Sequence, residues 1–500
     1  MVIVDGWGID VSWRRRGIGE QSIPNLNFLW HNYPHTALQS LDLLRGTYPY
    51  VDDVSVAYET LALGQLVKQP AAIVSDAIQN RSFFQNPAVG RMVEHAAQKK
   101  STFHLVGHIT NARPYSYIEH LEAIIRLASM RGVARINCHL LVDDEAISGM
   151  EVWLPRLNAA LESFTSSGVA SLSGSDADAA SIVGAITGRS KNRSDNMSAY
   201  LAACAVKKIR GANIPPVVIA PIAQENPWQE ENGVFFFDLS AHPTMAQVAT
   251  ILADPRASRR YLGNARVLAG TLTDYQIKPQ VRIAFREKPS TNHLLQTITQ
   301  NQRRVLLGTI SPMEKMYYRY LNALNSSIPQ GVEVKSVQTT EELEPAAQAV
   351  SRLVTDTGKI MANYDFSIIS IPLIELAGRK GDMRLLELAA RYSDREVSRI
   401  VKYITTLGGG VVIISPHAGY EAGDGQNLKH SNGPVPFILV ARDRAKNLVA
   451  SATSYYAQSG FLADIIQAKH MITDVAPTIL SLLNLSIPPN MTGKNISASI

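Results

Sequence analysis

Two apolar runs in this 500-residue chain end in side chains that hold metals or move protons. Val2-Ile3-Val4 stops at Asp5, and Val411 to Ile414 stops at Ser415-Pro416-His417. Such runs read as buried strands, and in open α/β sheets catalytic groups collect just past the carboxyl ends of parallel strands. A carboxylate at Asp5 can reach a metal across that switch point, and a histidine at 417 invites one. Pro416, which ligates nothing, stands beside it. The plain alternative for Asp5 is a carboxylate that caps a turn.

Short apolar runs alternate with helical patterns almost throughout, which predicts α/β layering. Further strands are expected at Phe103 to Val106, Ile136 to Val142, Val217 to Ile222, Val234 to Leu239, Val305 to Gly308 and Phe366 to Ile371. Ile23 to Tyr33 and Tyr117 to Met130 carry helix spacing, and Ile118, Leu121, Ile124, Ile125 and Leu127 share one face of the latter. Near the end, Thr473 or Asp474 can cap a helix that buries Ile479, Leu480, Leu482 and Leu483. Ser171 to Ala180, rich in Ser, Gly, Asp and Ala, reads as a loop. No solenoid-length repeat is visible.

At 46% hydrophobic the chain can fill cores for about two or three domains of roughly 150 residues. A net charge of +5 predicts no nucleic-acid footprint, and Arg14-Arg15-Arg16 reads as a solvated loop. Cys138 and Cys204 have no CxxC partner, so no disulfide framework or zinc knuckle is expected. MVIVDGWGID is too short in apolar residues for a signal peptide, and no run reaches the roughly 18 of a membrane span. The expected address is the cytoplasm.

Several stretches in one order carry a resemblance: VDGWG from Val4, RSFFQNPAV from Arg81, TFHLVGHITN, VRIAFREKP, GPVPFILV from Gly433, DVAPTILSLL and MTGK from Met491. Together they resemble the cofactor-independent phosphoglycerate mutases of the alkaline-phosphatase superfamily. The resemblance implies an alkaline-phosphatase-like mixed or parallel sheet domain, residues 1–71 and 300–500, split by an inserted α/β transferase-like domain, 72–299. It also implies interconversion of 2- and 3-phosphoglycerate through a phosphoserine with two manganese ions, which lower a nucleophile's pKa and neutralise phosphoryl oxygens.

On that resemblance Asp5, His417 and His430 match metal-ligand positions, and two imidazoles near a carboxylate suit manganese or zinc. The rest departs. The family's DHG becomes Pro416-His417-Ala418, so a bridging carboxylate has become an apolar ring. An aspartate with a histidine four residues on becomes Glu375 and Arg379 in IPLIELAGRKGD, and a guanidinium offers only donors. Arg379 is therefore expected to stand in for a dication by ion pairing. The family's MGNSEVGH serine falls on Val56, with Ser55 one residue earlier as a weak candidate nucleophile, facing away if this piece is extended. Its VHSH, DGRD, SGRYYAMDRD and FRPDR stretches become Pro114 to Tyr117, Asp143 to Ala146, SGSDADAASI and Leu239 to Pro243, which removes the anion-binding arginines. Lys315 keeps a substrate position.

The first expectation is accordingly a folded, inactive member with a binding or structural role, no cofactor, and an unidentified protein partner. The alternative is a working mutase or related phosphatase that takes phosphoglycerate, with Ser55 as nucleophile and Asp5, Glu375, His417 and His430 around a remaining manganese or zinc ion.

Overall fold

The computed structural model describes residues 1–8, 22–39, 54–68, 70–109, 116–225, 227–229, 231–239, 243–265, 267–286, 288–325, 327–417, 419–422, 428–430, 433–441 and 468–500. At 54, 55, 243, 315, 316, 421, 422 and 428–430 the backbone alone is described. The chain forms two units, Met1–Val67 with Lys288–Ile500, and Lys68–Glu287. These seams lie earlier in sequence than 71 and 299. Helix Leu294–Gln300 buries Leu294, Leu295 and Ile298 in the first unit, whereas Pro70–Gln79 gives Ala71 and Val74 to the second.

The first unit is built on an eight-stranded mixed sheet. Val2–Val4 lies at its centre, parallel to both Phe366–Ile371 and Val411–Ile414. All three strands are the apolar runs read from the sequence; burial on both faces of a parallel region demands such runs. Val411–Ile414 is antiparallel to Val435–Val440 on its other side. Helices Leu343–Ile360, Leu373–Arg379 and Met383–Thr406 pack as one group, and Val54–Leu63, Ser311–Leu321 and Val475–Leu482 belong to another.

Ser55 and Val56 are not in an extended segment: the backbone is helical from Val54 to Leu63. Asp474 also differs from expectation, since its side chain makes no cap bond to the helix that follows. It accepts instead from Met471 N and from Lys494 N, at 2.9 and 2.7 Å, and so ties down the MTGK stretch. Gly493 N donates to the Gly64 carbonyl in the same knot.

The second unit carries another eight-stranded sheet, parallel except where Gly168–Gly174 meets Val217–Ile219. Two sequence expectations change here. Ser171 to Gly174 is strand, because Ser171 and Ser173 are small enough to be buried in the sheet. The strand beginning at Val217 stops at Ile219, and helix Ala220–Glu225 follows. Inside this unit Asn232 Nδ2 bonds His104 Nε2, His104 Nδ1 bonds His139 Nε2, and His139 Nδ1 bonds Ser171 Oγ, all at 2.8–2.9 Å. The Trp228 ring stacks on His104 at 3.7 Å. No helix among the described residues is long and apolar enough to cross a membrane.

Burial lowers His139 to about 3 and His120 to about 4, and holds His104 well below its ordinary value. These groups stay neutral in the folded unit while the unfolded chain protonates near pH 6.5, so the unfolded state binds more protons as pH falls. Stability should be complete above about pH 6.5 and drain away towards pH 4, by up to about 1.4 kcal/mol per pH unit for each histidine. Thermal unfolding followed across this range checks it, and His120→Gln should make the slope shallower. In the first unit a Cβ on Gly493 would sit 2.0 Å from the Thr473 carbonyl oxygen, a backbone atom that cannot swing aside. Gly493→Ala should therefore cost about 1–3 kcal/mol, read as a lower unfolding temperature.

Candidate functional site

Asp5 is the first residue past the Val2–Val4 strand, and its carboxylate is fully buried. Gly6, at φ +80°, turns the chain where a Cβ would press on the Glu375 backbone at 3.0 Å. Past the neighbouring strand, Ser415 Oγ donates to the His417 carbonyl at 2.8 Å and holds the Ser-Pro-His turn. His417 Nε2 then lies 2.9 Å from Asp5 Oδ1 and 3.8 Å from Glu375 Oε2. Asp5 Oδ2 accepts from the Tyr317 hydroxyl at 3.1 Å, and that hydroxyl lies 2.7 Å from the one on Tyr58.

Helix Leu373–Arg379 supplies the other half. Its four-residue spacing brings Arg379 Nε 2.8 Å from Glu375 Oε1. Glu375 is 1% exposed, whereas Arg379 is 43% exposed, so the pair runs from the core to the surface. Between them in sequence, Gly378 carries the Tyr420 ring: a Cβ there would come within 2.1 Å of its carbons. Burial raises Tyr420, with Glu375 adding to the effect, and burial with Asp5 raises Tyr58 and Tyr317. All three phenols remain protonated donors. Burial opposes the Arg379 charge, but the Glu375 carboxylate, Tyr420 and Asp5 outweigh it and hold its pKa up.

Among the described side chains, which leave out His430, the donors do not fit a pair of manganese ions. A fixed cation already faces Glu375, the His417 nitrogen is turned onto Asp5, and an apolar ring stands at 416. Among the described residues no three His, Cys, Asp or Glu side chains are arranged to hold a metal.

The structure thus brings Asp5, Glu375 and His417 together and sets Arg379 against Glu375 from the surface side. His430 is described by backbone only, in strand Leu428–His430 opposite Tyr420. Ser55 lies in the first turn of helix Val54–Leu63 and Lys315 in helix Ser311–Leu321; their side chains lie outside the described residues. Val56 is buried. In the second unit, Asp143 and Asp144 both accept from backbone N–H groups. Asp143 caps its helix through Ala146 N at 2.8 Å, and Asp144 accepts from Gly211 N. Pro114, Tyr115 and 240–242 lie outside the described residues.

Sequence reasoning missed Tyr58, Tyr317 and Tyr420. The available signal, for Tyr58 alone, was a hydroxyl on an apolar helix, three residues after Ser55.

Residues 74–276 match the model of the BPG-independent phosphoglycerate mutase N-terminus. Over 524 residues, 99% of this chain and 95% of the relative, the chain is 26% identical to a 2,3-bisphosphoglycerate-independent phosphoglycerate mutase of Synechococcus sp.. It is 23% identical to one of Prochlorococcus marinus, over the whole chain and 94% of that protein. Over nearly its whole length the chain is similar to the cofactor-independent phosphoglycerate mutases. Its fold is that of the Leishmania mexicana phosphoglycerate mutase solved at low cobalt concentration, with a TM-score of 0.77 at 14% identity over 99% of this chain and 96% of that one. These likenesses support a phosphoglycerate mutase of this family, and none marks the chain as inactive, so they favour the working-mutase alternative.

Removing one partner of a buried pair strands the other, which costs about 3–5 kcal/mol when both are enclosed. Because Arg379 reaches solvent, Arg379→Met should cost less, about 1–3 kcal/mol. Glu375→Gln added to it should restore most of the loss, which a double-mutant cycle of thermal unfolding measures.

Proposed function

We propose that this chain uses the mutase scaffold for binding and does not transfer phosphoryl groups. The observation that carries the proposal is Arg379 Nε at 2.8 Å from the buried Glu375, beside an Asp5 already bonded to His417 and Tyr317. A guanidinium neutralises negative charge but accepts no lone pair, so it cannot lower a serine's pKa as a coordinated dication does. The substitutions at 416 and 379, and the lost arginines of the inserted unit, support the same reading. A protein partner, neither nucleic acid nor membrane, and a cytoplasmic address belong to the proposal; the buried free thiols of Cys138 and Cys204 agree with a reducing compartment.

The relatives' names and full-length similarity favour a second reading, a metal-dependent mutase or related phosphatase. It assigns Ser55 as nucleophile, Lys315 to phosphoglycerate, and Asp5, Glu375, His417 and His430 to one manganese or zinc ion. Three protein ligands with an open position suffice for such chemistry.

Elemental analysis of the purified protein and a coupled assay converting 3- to 2-phosphoglycerate with added manganese separate the two. The first reading expects substoichiometric metal and no turnover above buffer. Stoichiometric metal together with turnover that Ser55→Ala abolishes would establish the second.

A further inference from the structure

The second unit carries a basic groove that neither reading uses. Segment 188–193, GRSKNR, and helix Pro255–Leu262 meet there: Arg189 Nε donates to the Tyr261 carbonyl. Arg189, Ser190, Asn192, Arg260 and Tyr261 line one cavity of about 410 Å³. Arg256, Arg259 and Arg260 recur at i, i+3 and i+4, so they share a helix face, and Ser258 is buried away from it. Together with Arg189, Lys191 and Arg193 they are all exposed, and none is ion-paired with a described carboxylate. A chain of net charge +5 thus gathers six cations in two short segments.

Helix stabilisation accounts for only part of this. Cations in a last turn favour the helix dipole, which covers Arg259 and Arg260. Arg256 sits in the first turn, where the dipole disfavours a cation, and 188–193 is not helical.

We propose that this groove docks an acidic polypeptide segment, an extended run of Asp and Glu. Five of the six cations are arginine, which is enriched at protein interfaces where lysine is depleted, and whose fork pairs carboxylates bidentately. A single-stranded nucleic acid would call for exposed aromatics between the cations as stacking platforms. The one aromatic lining the cavity, Tyr261, is half-buried with Arg260 over its ring at 5.8 Å. The proposal deepens the binding role above by giving the partner's chemistry, but it rests on different residues and holds for a working mutase as well.

The test is fluorescence anisotropy of the full chain with a labelled peptide of alternating Glu and Gly, read at low and high salt. Controls are the same peptide with Gln for Glu, single-stranded and duplex oligonucleotides of equal charge, and inorganic phosphate as competitor. The Glu peptide should bind saturably and weaken about tenfold or more at high salt. Arg189 and Arg260 line the cavity and the other four cations flank it in sequence, so Arg256→Gln/Arg259→Gln/Arg260→Gln should lose about tenfold in affinity, and so should Arg189→Gln/Lys191→Gln/Arg193→Gln. Arg352→Gln, an exposed arginine in the first unit, should change nothing. Absence of saturable binding at low salt, undiminished binding by either groove variant, tighter binding of an oligonucleotide, or full displacement by phosphate at equal charge would each overturn the proposal. Neither turnover nor metal content enters the readout, so the outcome is independent of the mutase question.

Discussion

Two carboxylates, Asp5 and Glu375, are buried side by side where the central strands of the first unit end. Charge taken so far out of water must be compensated there, by ions or by the protein's own donors. In this chain the donors are the Arg379 guanidinium, the His417 ring and the Tyr317 hydroxyl. The presence of Pro416 then has a physical reason. On the binding reading, once a guanidinium and a hydroxyl answer the two acids, the position beside His417 has no ligand to supply, and an apolar ring is tolerated.

The same requirement shapes the surrounding backbone. Glu375 and Arg379 can meet because one helical turn separates them, and Tyr420 can close over them because residue 378 has no side chain. Gly6 lets the loop carrying Asp5 pass close to the Glu375 backbone. Tyr58 extends the network to the helix that begins at Val54, the segment in which the family's nucleophile would stand. A coordinated metal requires lone pairs aimed at a common point, whereas here donors and acceptors aim at one another. Such a network is suited to holding strands, loop and helices in place.

What the sequence revealed and what it hid follow the range of the interactions. Val2–Val4, Phe366–Ile371 and Val411–Ile414 were legible to the residue, because burial on both faces leaves a continuous apolar run. Asp5 and His417 drew notice because a strand end is a local feature, and the Glu375–Arg379 pair through the resemblance, its four-residue spacing being what lets the two side chains meet. Tyr58 and Tyr317, 259 positions apart in sequence, were not, since only the fold brings their hydroxyls together. Ser171 to Gly174 misled for another reason: small polar residues look like a loop, yet Ser171 is a hydrogen-bond partner of the buried His139. The basic groove was hidden likewise, because 188–193 and 255–262 look unremarkable until residues of both line one cavity.

The motifs that carry the family resemblance have structural duties in this chain. In RSFFQNPAV, Asn86 caps helix Pro87–Gln98 through Ala88 N and Val89 N and reaches the Ala284 carbonyl with its amide. In DVAPTILSLL and MTGK, Asp474 and Gly493 make the knot that closes the first unit. Such contacts are needed for folding whether or not any phosphoryl group moves. The curated relatives match over both units, and the region that the family model matches, 74–276, lies in the second, while Asp5, Glu375, Arg379 and His417 all lie in the first. Likeness carried by caps and core therefore speaks for the scaffold, and activity has to be decided at the four residues where a guanidinium faces the acids.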